Sequence, residues 1–142
     1  MSPILERRFA IILSELQAEW KLQDPLPILA ASNGTPLPED FACVTVTDPE
    51  APEDGLCGIT HTVTLSTCVP IERREEAERL ASALLTLDLE DIQRSATSRY
   101  SQLRPGHLYA WEPGLSETDL TEGDRLTLTA SARLTSARLA PQ

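Results

Sequence analysis

The chain has 142 residues, of which 41% are hydrophobic and 24% charged, and carries a formal net charge of −10. That size and composition suit one globular domain with a sizeable core and exclude a disordered chain. The acidity, with Lys21 as the single lysine, argues against a surface that grips phosphate backbones.

Ser2-Pro3 reads as an N-cap followed by proline in the first turn. Leu5, Phe9, Ile12, Leu16 and Trp20 then recur at helical spacing, so an amphipathic helix is expected over residues 3 to 20. Glu6, Arg7, Arg8 and Glu15 flank the apolar run Phe9 to Leu13, which is wrong for a signal peptide. No stretch approaches the roughly twenty apolar residues that cross a bilayer, so a cytoplasmic protein without membrane contact is expected. Asp24-Pro25-Leu26-Pro27 stops the helix, because proline cannot continue its hydrogen bonds. Ile28 to Ala31 reads as a short strand before a turn at Asn33-Gly34, and Pro36 and Pro38 keep the next residues irregular.

Residues 42 to 47 form a β-branched strand pattern, and an acidic loop follows from Asp48 to Leu56. From Gly58 to Cys68 the chain alternates, with Ile59, His61, Val63 and Leu65 on one face and Thr60, Thr62, Thr64 and Ser66 on the other. Strand, polar loop and strand predict an antiparallel hairpin. A helix from about Glu72 to Leu87 buries Ala77, Leu80, Ala81, Leu84 and Leu87. Asp88 to Gln102 allows a further short helix through Leu89, Ile92 and Ala96.

After the turn Arg104-Pro105-Gly106, a short strand is expected from His107 to Glu112, and Glu112-Pro113-Gly114 opens a second acidic loop. In the last strand Leu126, Leu128, Ala130, Ala132 and Leu134 alternate with Thr127, Thr129, Ser131, Arg133 and Thr135. Residues 135–142 read as a C-terminal tail. The expected fold is a single α+β domain: one antiparallel or mixed sheet with two main helices on one face.

Reactive constellations are not evident. Cys43, Cys57 and Cys68 are odd in number and lack C-x-x-C spacing, so no zinc site is expected. They suit buried free thiols in a reducing compartment. His61 shares its strand face with apolar residues, as a hydrogen-bonded core histidine does, and His107 follows a Pro-Gly turn. Neither histidine stands in H-E-x-x-H, no serine stands in G-x-S-x-G, and no glycine pattern cradles phosphate. The run Asp48 to Gly55 lacks the alternating ligands of a calcium loop. No catalytic residue, cofactor or metal ligand is therefore expected.

Charge placement is more informative. No Lys or Arg falls between Leu22 and Glu72, where Asp48, Glu50, Glu53 and Asp54 lie. A second base-free stretch holds Glu117, Asp119 and Glu122, while the arginines gather in the helical segments. The outer strand positions Thr60, Thr62, Thr64, Ser66, Thr127, Thr129, Ser131, Arg133 and Thr135 carry one charge among them. Two readings stand side by side: a solvated threonine face, or a face covered by a neighbouring subunit.

The N-terminal helix, the hairpin, His61-Thr62-Val63-Thr64-Leu65-Ser66-Thr67, the helix Glu75-Glu76-Ala77-Glu78-Arg79-Leu80-Ala81-Ser82-Ala83-Leu84-Leu85 and the late alternating strand occur in a suggestive order. From about Ile4 to Leu134 the chain resembles the tail terminator (tail completion) proteins of long-tailed bacteriophages. The resemblance implies a structural virion protein, not an enzyme, which forms a ring, typically a hexamer. Such a ring caps the tail tube and joins it to the head-tail connector in the neck, while DNA passes without specific binding. Assembly would occur in the host cytoplasm.

On that reading Thr60, Thr62, Thr64, Thr127, Thr129 and Ser131 would supply subunit contacts. Asp48, Glu50, Glu53, Asp54, Glu117, Asp119 and Glu122 would face the DNA channel or a basic ring on a partner. The long loop Asp48 to Leu56 and the segment Asp88 to Leu103 depart from the family's pattern. The alternatives are a neck or head-completion ring protein, a monomeric acidic adaptor, and a small enzyme using His61 or His107.

Overall fold

A computed structural model describes residues 3–34, 36–47, 58–87 and 107–138. The first helix, α1, spans Pro3–Ala18. It ends two residues earlier than the apolar spacing predicts. The amides of Glu19, Trp20 and Lys21 bond to the carbonyls of Leu16, Gln17 and Ala18, and Lys21 adopts φ 52°. This left-handed residue closes the helix before the prolines arrive.

Strand β1 (Ile28–Ala30) runs parallel to β2 (Phe41–Val46), and Ala31 belongs to a 3-10 turn, Ala31–Asn33, not to the strand. Strand β3 (Gly58–Pro70) pairs antiparallel with β2, as the hairpin pattern predicts. A 3-10 turn at Ile71–Arg73 leads into α2 (Arg74–Thr86). Strands β4 (His107–Glu122) and β5 (Arg125–Arg138) form a long hairpin turning at Gly123, whose φ of 61° suits glycine. The five-stranded sheet has the order β1-β2-β3-β5-β4, and β1 makes it mixed.

One face of this sheet carries Val44, Val46, Val63, Leu65, Val69, Leu126, Leu128, Ala130 and Leu134 into a core closed by Phe9, Ile12 and Leu13 of α1 and Leu80 and Leu84 of α2. Helix α1 lies against β1 and β2, and α2 against β3 and β5. The α+β architecture, with both helices on one sheet face, follows the sequence pattern.

Two expectations are corrected. The second acidic loop is strand: β4 continues past Glu112 to Glu122, paired with β5 throughout apart from a register shift between Pro113 and Ser116. Proline lacks an amide donor, but an edge strand tolerates it because one side of its ladder has no partner strand. The expected tail at 135–142 is likewise strand as far as Arg138, where β5 pairs with His107 of β4. The loop residues Asp48, Glu50, Glu53 and Asp54, the possible helix over Asp88 to Gln102, and residues 139–142 lie outside the described residues.

Candidate interaction surface

The face of the sheet turned away from the helices is built in rows across β2, β3 and β5. Phe41, Cys68 and Thr127 form one row, Cys43, Ser66 and Thr129 the next, and Thr45, Thr64 and Ser131 a third. Thr62 stands opposite Arg133, and Thr60 opposite Thr135. The strand period of two forces this segregation, since each core residue sends its neighbour to the opposite face.

Thr62, Thr64, Ser66, Cys68, Thr127 and Thr129 are half-buried, and Ser131 is only 8% exposed. The Thr64 and Ser131 hydroxyls are hydrogen-bonded to each other at 3.1 Å. Five of the six expected contact positions thus come together as one hydroxyl-lined patch, with the sixth, Thr60, in register beside it. Arg125 lies at one end, opposite Pro70, and the exposed Arg133 shares the row of Thr62, between the Thr64–Ser131 row and the Thr60–Thr135 row.

Arg125 anchors one corner. Its Nη1 donates to Asp40 Oδ1 at 2.7 Å, and its Nη2 donates to the Glu39 carbonyl and approaches Cys68 Sγ at 3.5 Å. The bond to Asp40, followed by that to Cys68, raises the Arg125 pKa above its ordinary value. Asp40 is shared: its Oδ2 lies 3.5 Å from Arg73 Nη1. Arg73 also donates through Nε and Nη2 to Glu76 Oε2, at 2.9 and 2.6 Å. Burial works against the Arg73 charge, but Glu76, Asp24 and Asp40 outweigh it, and its pKa is raised. Together these groups tie the start of β2, the β3–α2 junction and the β4–β5 hairpin into one corner.

Of the acidic candidates, Glu122 is exposed at the end of β4, opposite Arg125. Glu117 and Asp119 occupy register positions opposite Ala130 and Leu128 of β5. These three are therefore spread along an edge strand. His61 is half-buried rather than the core residue expected, and its Nδ1 donates to the Thr47 carbonyl at 3.1 Å at an exposed site. Among the described residues, no three His, Cys, Asp or Glu side chains gather as a metal would require. None of the described helices is long and apolar enough to cross a membrane.

The apolar spacing missed three buried polar side chains on α1, those of Glu6, Arg8 and Gln17. Glu6 is fully buried and Gln17 is 4% exposed. Gln17 Nε2 donates to the Leu26 carbonyl at 2.8 Å, and its Oε1 accepts from the Leu26 amide at 3.2 Å. The available signal was phase: Glu6, Phe9, Leu13 and Gln17 share one helix stripe, polar at both ends.

The chain matches no family model and no curated protein.

Proposed function

We propose that this chain is a structural protein of a bacteriophage virion, a tail terminator. Its copies form a ring that caps the tail tube and joins it to the head-tail connector. The observation that carries this reading is the half-buried, hydroxyl-lined sheet face, with no charge in the three rows between Arg125 and Arg133 and both helices on the other side. A solvated face of an antiparallel sheet in so acidic a chain would be expected to carry charges. Uncharged rows suit a neighbouring protein surface, whose centre is depleted of charge in the same way. The net charge of −10 fits a ring through which DNA passes without sticking.

The test is polymerisation of a bacteriophage tail tube protein with and without the full chain, followed by electron microscopy. Tubes that stop at a ring-shaped cap, and that grow on when Thr64→Arg is supplied instead, are the expected result. Tubes that lengthen regardless, with no ring bound at their ends, would reject the reading. Replacing Glu50, Glu53 and Asp54 together separates the two roles open to the acids: weakened docking assigns them to a basic partner ring, and unchanged docking removes that role.

A further inference from the structure

A closed ring of identical subunits needs two unlike, complementary surfaces on every copy. Among the described residues, the most exposed large hydrophobic side chain, as a knob, and an apolar groove fit this requirement. Resting on the ring reading for its geometry, we propose that Leu37 of one copy seats in the groove between α1 and β1 of the next.

The groove has a volume of about 560 Å³, within the range that accepts a drug-sized ligand. Ala10, Ile11 and Ala18 line it from the flank of α1, and Ile28 and Ala30 from β1. Three of these five are alanines, so the hollow arises where small side chains face one another beside the shortest strand of the sheet. A second copy of this chain supplies a matching insert.

Leu37 is 57% exposed, the most exposed large hydrophobic residue among those described. It stands between Pro36 and Pro38. Proline fixes its own φ and restricts the residue before it, so this tripeptide presents its leucine with little backbone freedom left to lose on docking. An exposed leucine held on a stiff loop is set up to insert.

Charge orients the contact. Glu39 follows the knob and is exposed, whereas the Asp40 carboxylate beside it is already paired with Arg125 and Arg73. The groove carries Arg7 towards one end of α1 and Glu15 eight residues on, about 12 Å along a helix. The Glu39 side of the knob would therefore sit towards the Arg7 end, away from Glu15. A knob engaged in a neighbour's groove leaves that neighbour's own knob for a third copy, which gives the contact its direction.

The experiment uses the full chain and two exposed substitutions, Leu37→Asp on the knob and Ser14→Arg in the groove, in sedimentation velocity over a concentration series. Wild type is expected to associate, each variant to need at least about tenfold more protein to do so, and the two variants mixed to form 1:1 pairs. The pairs follow because Leu37→Asp keeps an intact groove and Ser14→Arg an intact knob. Wild-type protein that stays a single copy at every concentration, or Leu37→Asp that associates like wild type, overturns the contact. Ser14→Arg that lowers the melting temperature without changing association places the groove's occupant within the same chain, and overturns it too. Association that depends on Leu37 without capping of tail tubes would reject the virion reading and leave the contact standing. Caps that form with Leu37→Asp would do the reverse.

Discussion

The amide of Val46, at the end of β2, donates a 3.0 Å hydrogen bond to the carboxylate of Glu6 on α1, forty residues away in sequence. The other carboxylate oxygen accepts from the Ser32 amide, also at 3.0 Å. The Ala42 amide bonds to Pro27, and the β1–β2 ladder ends at Ala30 opposite Val44. By the two-residue period of a strand, Val46 offers the next donor on that side, and β1 no longer supplies an acceptor. The buried carboxylate takes the place of the missing rung and pins α1 to the parallel edge of the sheet.

Glu6→Ala should therefore be strongly destabilising, since it leaves two amides without their acceptor at a fully buried position. At roughly 1–3 kcal/mol for each unsatisfied donor, a loss of about 3 kcal/mol is expected in urea unfolding. Glu6→Gln should recover part of it, because its one carbonyl oxygen serves one of the two amides. A loss below about 1 kcal/mol for Glu6→Ala would mean that water replaces the carboxylate at little cost.

Asp40→Asn should loosen the corner held by Arg73 and Arg125. The side chains involved are partly exposed, 26% for Asp40, 19% for Arg73 and 30% for Arg125, so salt screens the attraction. The expected signature is a lower melting temperature than the parent at low ionic strength, with the gap closing at about 0.5 M salt. A gap that does not change with salt would assign the effect to hydrogen-bond geometry rather than charge.

Phe9 of α1 stacks on Trp111 of β4, with ring centroids 5.3 Å apart and planes inclined by 19°. This contact ties the outer strand of the β4–β5 hairpin back to the first helix. Phe9→Ala should cost about 3–5 kcal/mol as a large-to-small core change. Phe9→Leu should cost less, because it gives up the ring pairing, worth about 1 kcal/mol, while still filling most of the site. In a Trp20→Phe background the emission of Trp111 should move to longer wavelength in Phe9→Ala. Unchanged emission would mean that Trp111 is shielded by other groups.

Periodicity was enough to find α1, the β2–β3 hairpin, α2 and β5, because each buries one face and its apolar residues repeat at the matching spacing. It was not enough for the second half of β4. Glu117, Thr118, Asp119 and Thr121 resemble a loop, and Pro113-Gly114 resembles its start, yet the segment is strand because β5 pairs with it residue by residue. Backbone pairing to a strong neighbour leaves no hydrophobic trace in the strand that receives it. The hydroxyl face was legible for the opposite reason, as β3 and β5 alternate cleanly. Its neighbours Phe41 and Cys43 join it only through the register of β2, which no local pattern encodes.

Cys43 gives a chemical probe of that face. Burial, reinforced by the negative charge of Glu6, pushes its thiol above the ordinary value of 9.0, against a lowering hydrogen bond from Thr45. The folded state thus holds the proton more tightly than the unfolded chain does. The associated stability is present in full below pH 9.0 and is lost as pH rises through the folded pKa. In a background where Cys57 and Cys68 are serine, Cys43 should react with iodoacetamide at about pH 8 more slowly in the folded protein than in urea, because less thiolate is present. Its stability should decline above pH 9.0, and Cys43→Ser should flatten that decline. Assembly through the sheet face would slow the labelling further, whereas a thiol that reacts as fast folded as unfolded would mean that neither burial nor Glu6 governs it.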